Sequence, residues 1–167
     1  ATILELVQKY QSLQLNEIID YEKFSHYAIT HHSTNLEGST LTETETQLLL
    51  DQDLTPKGKP LSHSLMAKDH YAALLFVLEE ARKKRAVEVT FIKAINARVL
   101  KSTGAVYNTL LGVIDSSKDE FRKSNVRAGN HYFLNYAKVP TYTQNFAEKI
   151  AKAAETTTDA AQQLLLS

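Results

Sequence analysis

The chain has 167 residues, of which 43% are hydrophobic and 23% charged, with 19 basic side chains against 19 acidic ones. Balanced charge gives no global field for a nucleic acid and no acidic excess of the kind found in solvating tails. The absence of cysteine removes disulfides, thiolate zinc sites and cysteine nucleophiles together. A chain of this length can bury about 70% of its unfolded surface, enough for one real core. Only five glycines and three prolines interrupt it, which favours helix.

The opening "ATILELVQKY" does not read as a signal peptide, because Glu5 interrupts its apolar run and no basic segment precedes it. Nor does any stretch approach the ~18 consecutive apolar residues of a membrane helix. The expectation is a cytoplasmic protein with no membrane partner.

Helical spacing of Ile3, Leu6, Val7, Tyr10 and Leu13 predicts a first helix over about 2–15. Asn16 is a candidate cap for a second, whose stripe runs through Ile18, Tyr21, Phe24, Ala28 and His31 and gives out in "HHSTN", with Gly38 as the stop signal. Thr42 with Glu45 forms a capping box before a short third helix. The stretch "DQDLTPKGKP" (51–60) is a break, followed by a long helix from Ser62 or Ser64 to about Lys84. Its band is Met66, Ala73, Leu74, Val77 and Leu78, with Leu65, Asp69, Ala72, Phe76 and Glu79 to one side. Thr90 is the expected cap of the next helix and Gly104 its stop, while 105–120 has both helical and loop character.

The character then changes. In "FRKSNVRAGNHYFLNYAKVP" (121–140), Gly129-Asn130 is a two-residue turn suited to a II′ hairpin between "SNVRA" and "HYFLN". A single β-hairpin is expected, marginal unless supported. It reads either as a structural insertion or as a flap that clamps an extended peptide by strand addition. After Pro140, Thr143 is expected to cap a helix to about Ala154. "TTTDAAQQLLLS" restarts a helix without a stop signal, so the chain reads as cut inside an element.

Tests for familiar chemistry are negative. The six histidines (26, 31, 32, 63, 70, 131) include no helical H-x-x-x-H or H-E-x-x-H pair, so no metal site is expected. No Gly-rich phosphate loop and no G-x-S-x-G elbow occurs. The basic run "RKKR" (82–85) is read as a solvated helix end that complements the dipole. Glu37 is the unexpected residue. A carboxylate just before a terminating glycine lies at the negative end of its helix, at a cost of about 0.3–1 kcal/mol. It is either a tolerated surface charge or the partner of a cation elsewhere in the fold, an arginine for example.

Ser33, Glu37 and Gly38 fit S-x-x-x-E-G, which resembles the inhibitory-helix motif (S/T)-x-x-x-E-(G/N) of Fic-domain proteins. The run "STNLEGSTLTETET" is similar to the wider signature S-x-x-I-E-G-N-x-L-T-x-x-E. Leu36 stands for the Ile and Ser39 for the Asn, and Leu41, Thr42 and Glu45 fit. "FRKSNVRAGN" followed by "VP" resembles the family's flap stretch, and the order of elements agrees from about residue 25 onward.

The resemblance implies a mainly α, Fic-like helical bundle with one β-hairpin, the flap. It divides into an N-terminal region with the inhibitory helix (1–60) and the first part of a Fic-like core (61–167) with the flap at about 121–140. It implies transfer of AMP from ATP and Mg²⁺ to a Ser, Thr or Tyr hydroxyl of a target protein; some members remove AMP. Glu37 would inhibit by pairing with an arginine of the catalytic motif, Ser33 would steady the helix against the core, and Gly38 would let the chain leave. Val126, Arg127, Ala128, Gly129, Asn130, His131 and Tyr132 would dock the target backbone.

The catalytic motif H-P-F-x-(D/E)-G-N-G-R itself does not occur in the chain. The chain alone is therefore expected to be inactive, to contain no catalytic residue and to bind neither ATP nor Mg²⁺ tightly. Its expected partners are the remainder of the Fic core and the target protein, with a homo-oligomer left open. The rival expectation is a non-catalytic helical module that binds a peptide at its hairpin. A nucleic-acid binder is a distant third.

Overall fold

The computed structural model describes residues 2–13 and 20–156. Helix α1 (Ile3–Ser12) opens with a reciprocal cap in which the Thr2 hydroxyl accepts from Glu5 N–H and the Glu5 carboxylate accepts from Thr2 N–H. All of its apolar side chains stay exposed. Helix α2 (Tyr21–Leu36) is capped by Asp20, whose side chain accepts from Lys23 N–H; Asn16 and Ile18 lie outside the described residues. Helix α3 (Glu43–Gln52) begins at the expected capping box of Thr42 and Glu45.

Helix α4 (Leu61–Arg82) packs against α2, α3 and the next helix, α5 (Val89–Val99), and so forms the spine of the fold. The centre is small: Leu41, Leu49 and Ala67 form one buried cluster, with Tyr27, Ala73 and Phe91 elsewhere in the interior. Of the expected side of α4, Asp69 is buried, while Ala72 and Glu79 face solvent.

Polar groups share this interior; the side chains of Thr30, His31, Thr34 and Thr46 are paired, whereas the buried Ser64 hydroxyl has no partner among the described residues. The Thr30 and Thr34 side chains are buried on α2, and Thr34 donates to the Thr30 carbonyl at 2.9 Å. His31 lies between Asn35 (3.1 Å from Nε2) and Thr46 (3.4 Å from Nδ1). The Thr46 hydroxyl donates to the Thr42 carbonyl, so it accepts from His31, which places the ring proton on Nδ1. Burial with full pairing is what makes such groups tolerable in a core.

Two expected caps are corrected. Helix α5 starts after Glu88, so Thr90 is already inside its first turn. Helix α6 (Val139–Thr156) follows directly on a 3₁₀ turn (Tyr136–Lys138), and Thr143 lies within it, donating to the Val139 carbonyl. Pro140 is accommodated because the first helical turn needs no N–H donor from it. The expected restart in "TTTDAAQQLLLS" falls almost wholly outside the described residues. Gly104 does not end α5, which closes at Leu100. It allows a close crossing instead: a Cβ there would come within 2.8 Å of Ser117 N and 2.7 Å of the Leu100 carbonyl.

The ambiguous stretch 105–120 is a second hairpin. Strands β1 (Val106–Thr109) and β2 (Gly112–Asp115) pair antiparallel through Val106↔Asp115 and Thr109↔Gly112. Gly112 has φ +104°, the left-handed residue that follows a tight turn over Leu110 and Leu111, and the Thr109 hydroxyl donates across the turn to its carbonyl. The expected hairpin is present as β3 (Arg127–Ala128) and β4 (His131–Tyr132). Positive φ at Gly129, and not at Asn130, fits the II′ geometry. The mainly helical class holds, with one hairpin more than expected.

Candidate functional site: the α2 terminus and the hairpin flap

Helix α2 ends in a Schellman motif. Gly38 N–H donates to the Asn35 carbonyl and Ser39 N–H to the Thr34 carbonyl, both at 3.0 Å, with Gly38 at φ +95°. The following loop is fastened to the start of α4. Thr40 N–H donates to His63 Nδ1 (3.1 Å), and Lys59 donates to the Thr40 carbonyl (2.7 Å) while lying 3.8 Å from Glu45. Leu41 is buried in the central cluster, and Ser39 is buried beside it in sequence.

Most of the run 33–46 is thus consumed by local structure. Gly38 makes the turn, Leu41 anchors it, and Thr42 and Glu45 start α3. Glu37 and Leu36 stand apart at the helix end. Glu37 is the C-cap of α2, is exposed, and forms no ion pair among the described residues. Leu36 beside it is 88% exposed, an extreme value for a leucine on a well-held helix end. Ser33 is half-buried one turn earlier. The carboxylate therefore stands at the negative pole of its own helix, on a fixed support, with nothing local to satisfy it.

The second part of the site is the hairpin β3–β4. Phe133 N–H donates to the Val126 carbonyl at 3.1 Å, which extends the short ladder, and Asn125 Oδ1 accepts from Tyr136 N–H. Arg122 ties the base by donating to the carbonyls of Ser124 (3.2 Å) and Leu134. His131 and Phe133 share one face, with ring centroids 4.9 Å apart. All the expected flap residues, Val126 to Tyr132, are exposed.

Between the two hairpins, α5 and the start of α6 lies a cleft of about 550 Å³ lined by Ile92, Asn96, Tyr107, Ile114, Phe121 and Val126. Composition did not announce it, because the β1–β2 hairpin that forms one wall was not legible. Asp69 holds this half of the molecule to the helices: buried on α4, it accepts from Ser102 N–H (2.5 Å) and Ser102 Oγ (3.0 Å), just beyond α5.

The remaining charged clusters are structural. The end of α4 is neutralised by its own acids, with Lys83 2.7 Å from Glu79 and Arg85 2.7 Å from Glu80, which holds the Glu80 carboxyl below its usual range. Lys23 pairs with Asp51, which also accepts from the Tyr27 hydroxyl at 3.2 Å. Among the described residues no group of three His, Asp or Glu is arranged around a common metal position. No helix among them is long and apolar enough to cross a membrane.

Comparison with family models and with curated proteins gives no match. The fold is similar to that of a Fic-domain-containing signaling protein from Bacteroides thetaiotaomicron VPI-5482, with a TM-score of 0.71 and 22% sequence identity. The similarity covers 96% of this chain and 60% of the solved one. The architecture is therefore Fic-like.

Proposed function

We propose that this chain supplies the inhibitory helix end and the target-docking flap of a protein AMP transferase of the Fic type. One observation carries the reading. In a Fic-like fold, Glu37 stands exposed and unpaired at the C-cap of α2, on a loop fastened by Lys59 and His63. A carboxylate that its own helix disfavours is well suited to an arginine on another element, and a bidentate pair would outweigh the local cost. That arginine belongs to the motif H-P-F-x-(D/E)-G-N-G-R, which is absent from these 167 residues, so the chain by itself is read as inactive. Leu36 would be covered when the pair forms. The β3–β4 hairpin would hold the target segment as an added strand while AMP is transferred from ATP to a Ser, Thr or Tyr hydroxyl.

The open edges of β3–β4 also favour a second reading, a non-catalytic module that binds a peptide. Titration calorimetry of ATP with Mg²⁺ into the longest natural polypeptide that contains these residues separates the two. Measurable binding heat is expected. A folded protein that gives no heat with ATP, yet binds peptides at the hairpin, would establish the second reading.

A further inference from the structure

From Phe121 to Ala147 the chain carries Arg122, Lys123, Arg127 and Lys138 and not one Asp or Glu, although the whole sequence is balanced. Two of these cations are used at home. Arg122 ties the hairpin base, and Lys123 donates to the Val113 carbonyl and lies 3.6 Å from Glu120. Arg127 and Lys138 are exposed, and neither side chain has a partner among the described residues.

The register adds direction to this charge. Phe133 N–H donates to the Val126 carbonyl, and Arg127 is paired with Tyr132 one step closer to the turn. Antiparallel ladders alternate between bonded and non-bonded pairs, so the main-chain N–H and C=O of Arg127 point away from β4. Among the described residues β3 has no neighbour on that side. The side chains of Arg127 and Tyr132, the latter 71% exposed, stand on one face of the hairpin. A segment aligned along β3 would meet free main-chain groups and an uncompensated guanidinium in the same place.

We propose that the outer edge of β3 selects an extended peptide segment that carries Asp or Glu at alternate positions, with Arg127 pairing one of these carboxylates. The inference rests on the reading of this hairpin as the docking strand and names the chemistry of what docks. A nucleic acid would also be drawn to the cations, but it has no main-chain donors and acceptors to match the open ladder, so the edge favours a peptide.

The test uses the 167-residue chain and fluorescein-labelled peptides of equal length in which Val alternates with Glu, Gln or Lys, read by fluorescence anisotropy at low and high salt. A labelled oligothymidine is the control. The Glu peptide is expected to bind about fivefold more tightly than the Gln peptide, the Lys peptide to bind least, and the difference to shrink with salt. Arg127→Gln, checked for fold by circular dichroism, removes the preference for Glu over Gln while leaving the Gln peptide's affinity unchanged. Equal binding of the Glu and Gln peptides overturns the acidic preference and leaves docking intact. Failure of all three peptides overturns both, and binding of the oligothymidine alone would assign the patch to nucleic acid.

Discussion

The run from Ser33 to Leu49 and the run from Val106 to Leu134 are built on different terms. In the first, side chains specify the path: Gly38 turns the chain, Leu41 and Leu49 are buried, and Thr42 and Glu45 cap each other. In the second, two short hairpins expose Leu110, Leu111, Val113, Tyr132 and Phe133 and hold their shape through turns and main-chain bonds. A two-stranded hairpin is marginal alone, so this half depends on its attachment to α4 and α5, through Asp69 and the close crossing at Gly104. A residue left unexplained means more in the first run than in the second. Glu37 stands out because Gly38, Leu41, Thr42 and Glu45 after it are accounted for, whereas exposed side chains are the rule on the hairpins.

The largest expected effect breaks the first region. Leu49 is 1% exposed in the central cluster, so Leu49→Ala should cost about 2–5 kcal/mol and lower Tm by several degrees or more in a thermal melt. Binding of peptides to the hairpin by the remaining folded protein should be unchanged if the two regions are independent in this sense. A smaller effect sharpens the same contrast. His70, half-buried on α4 with Nδ1 3.3 Å from Thr30 Oγ1, has its pKa pushed below the ordinary 6.5 by burial. The unfolded chain therefore takes up this proton first. The associated stability is fully present above pH 6.5 and is lost as the pH falls through the lowered folded value. Urea melts from pH 8 down to pH 5 should show that decline, and His70→Gln should flatten it.

Sequence legibility followed the same division. The stop at Gly38, the box at Thr42 and Glu45 and the turn at Gly129-Asn130 were readable because each is a local device with a fixed spacing. The β1–β2 hairpin was not, because Leu110 and Leu111 occupy its tip and its glycine follows the turn instead of forming its centre. The cap at Thr90 was misplaced by two residues, since Glu88 precedes α5 without a side-chain cap bond that a pattern could reveal. Pro140 misled in the other direction by lying inside the first turn of α6. His31 lay on the expected stripe of α2, but buried Thr30, Thr34 and Thr46 have no apolar signature, so their part of the core became visible only in three dimensions. At the site, motif residues could be named from sequence. That Glu37 is unpaired while Gly38, Leu41, Thr42 and Glu45 of its signature are engaged required the structure.

The most direct measurement of that claim is transfer of labelled AMP from ATP by the longest natural polypeptide that contains this chain, wild type against Glu37→Gly, at matched folded concentration. Low incorporation by the wild type and a clear rise in the variant are expected. Equal incorporation by two well-folded proteins would contradict it.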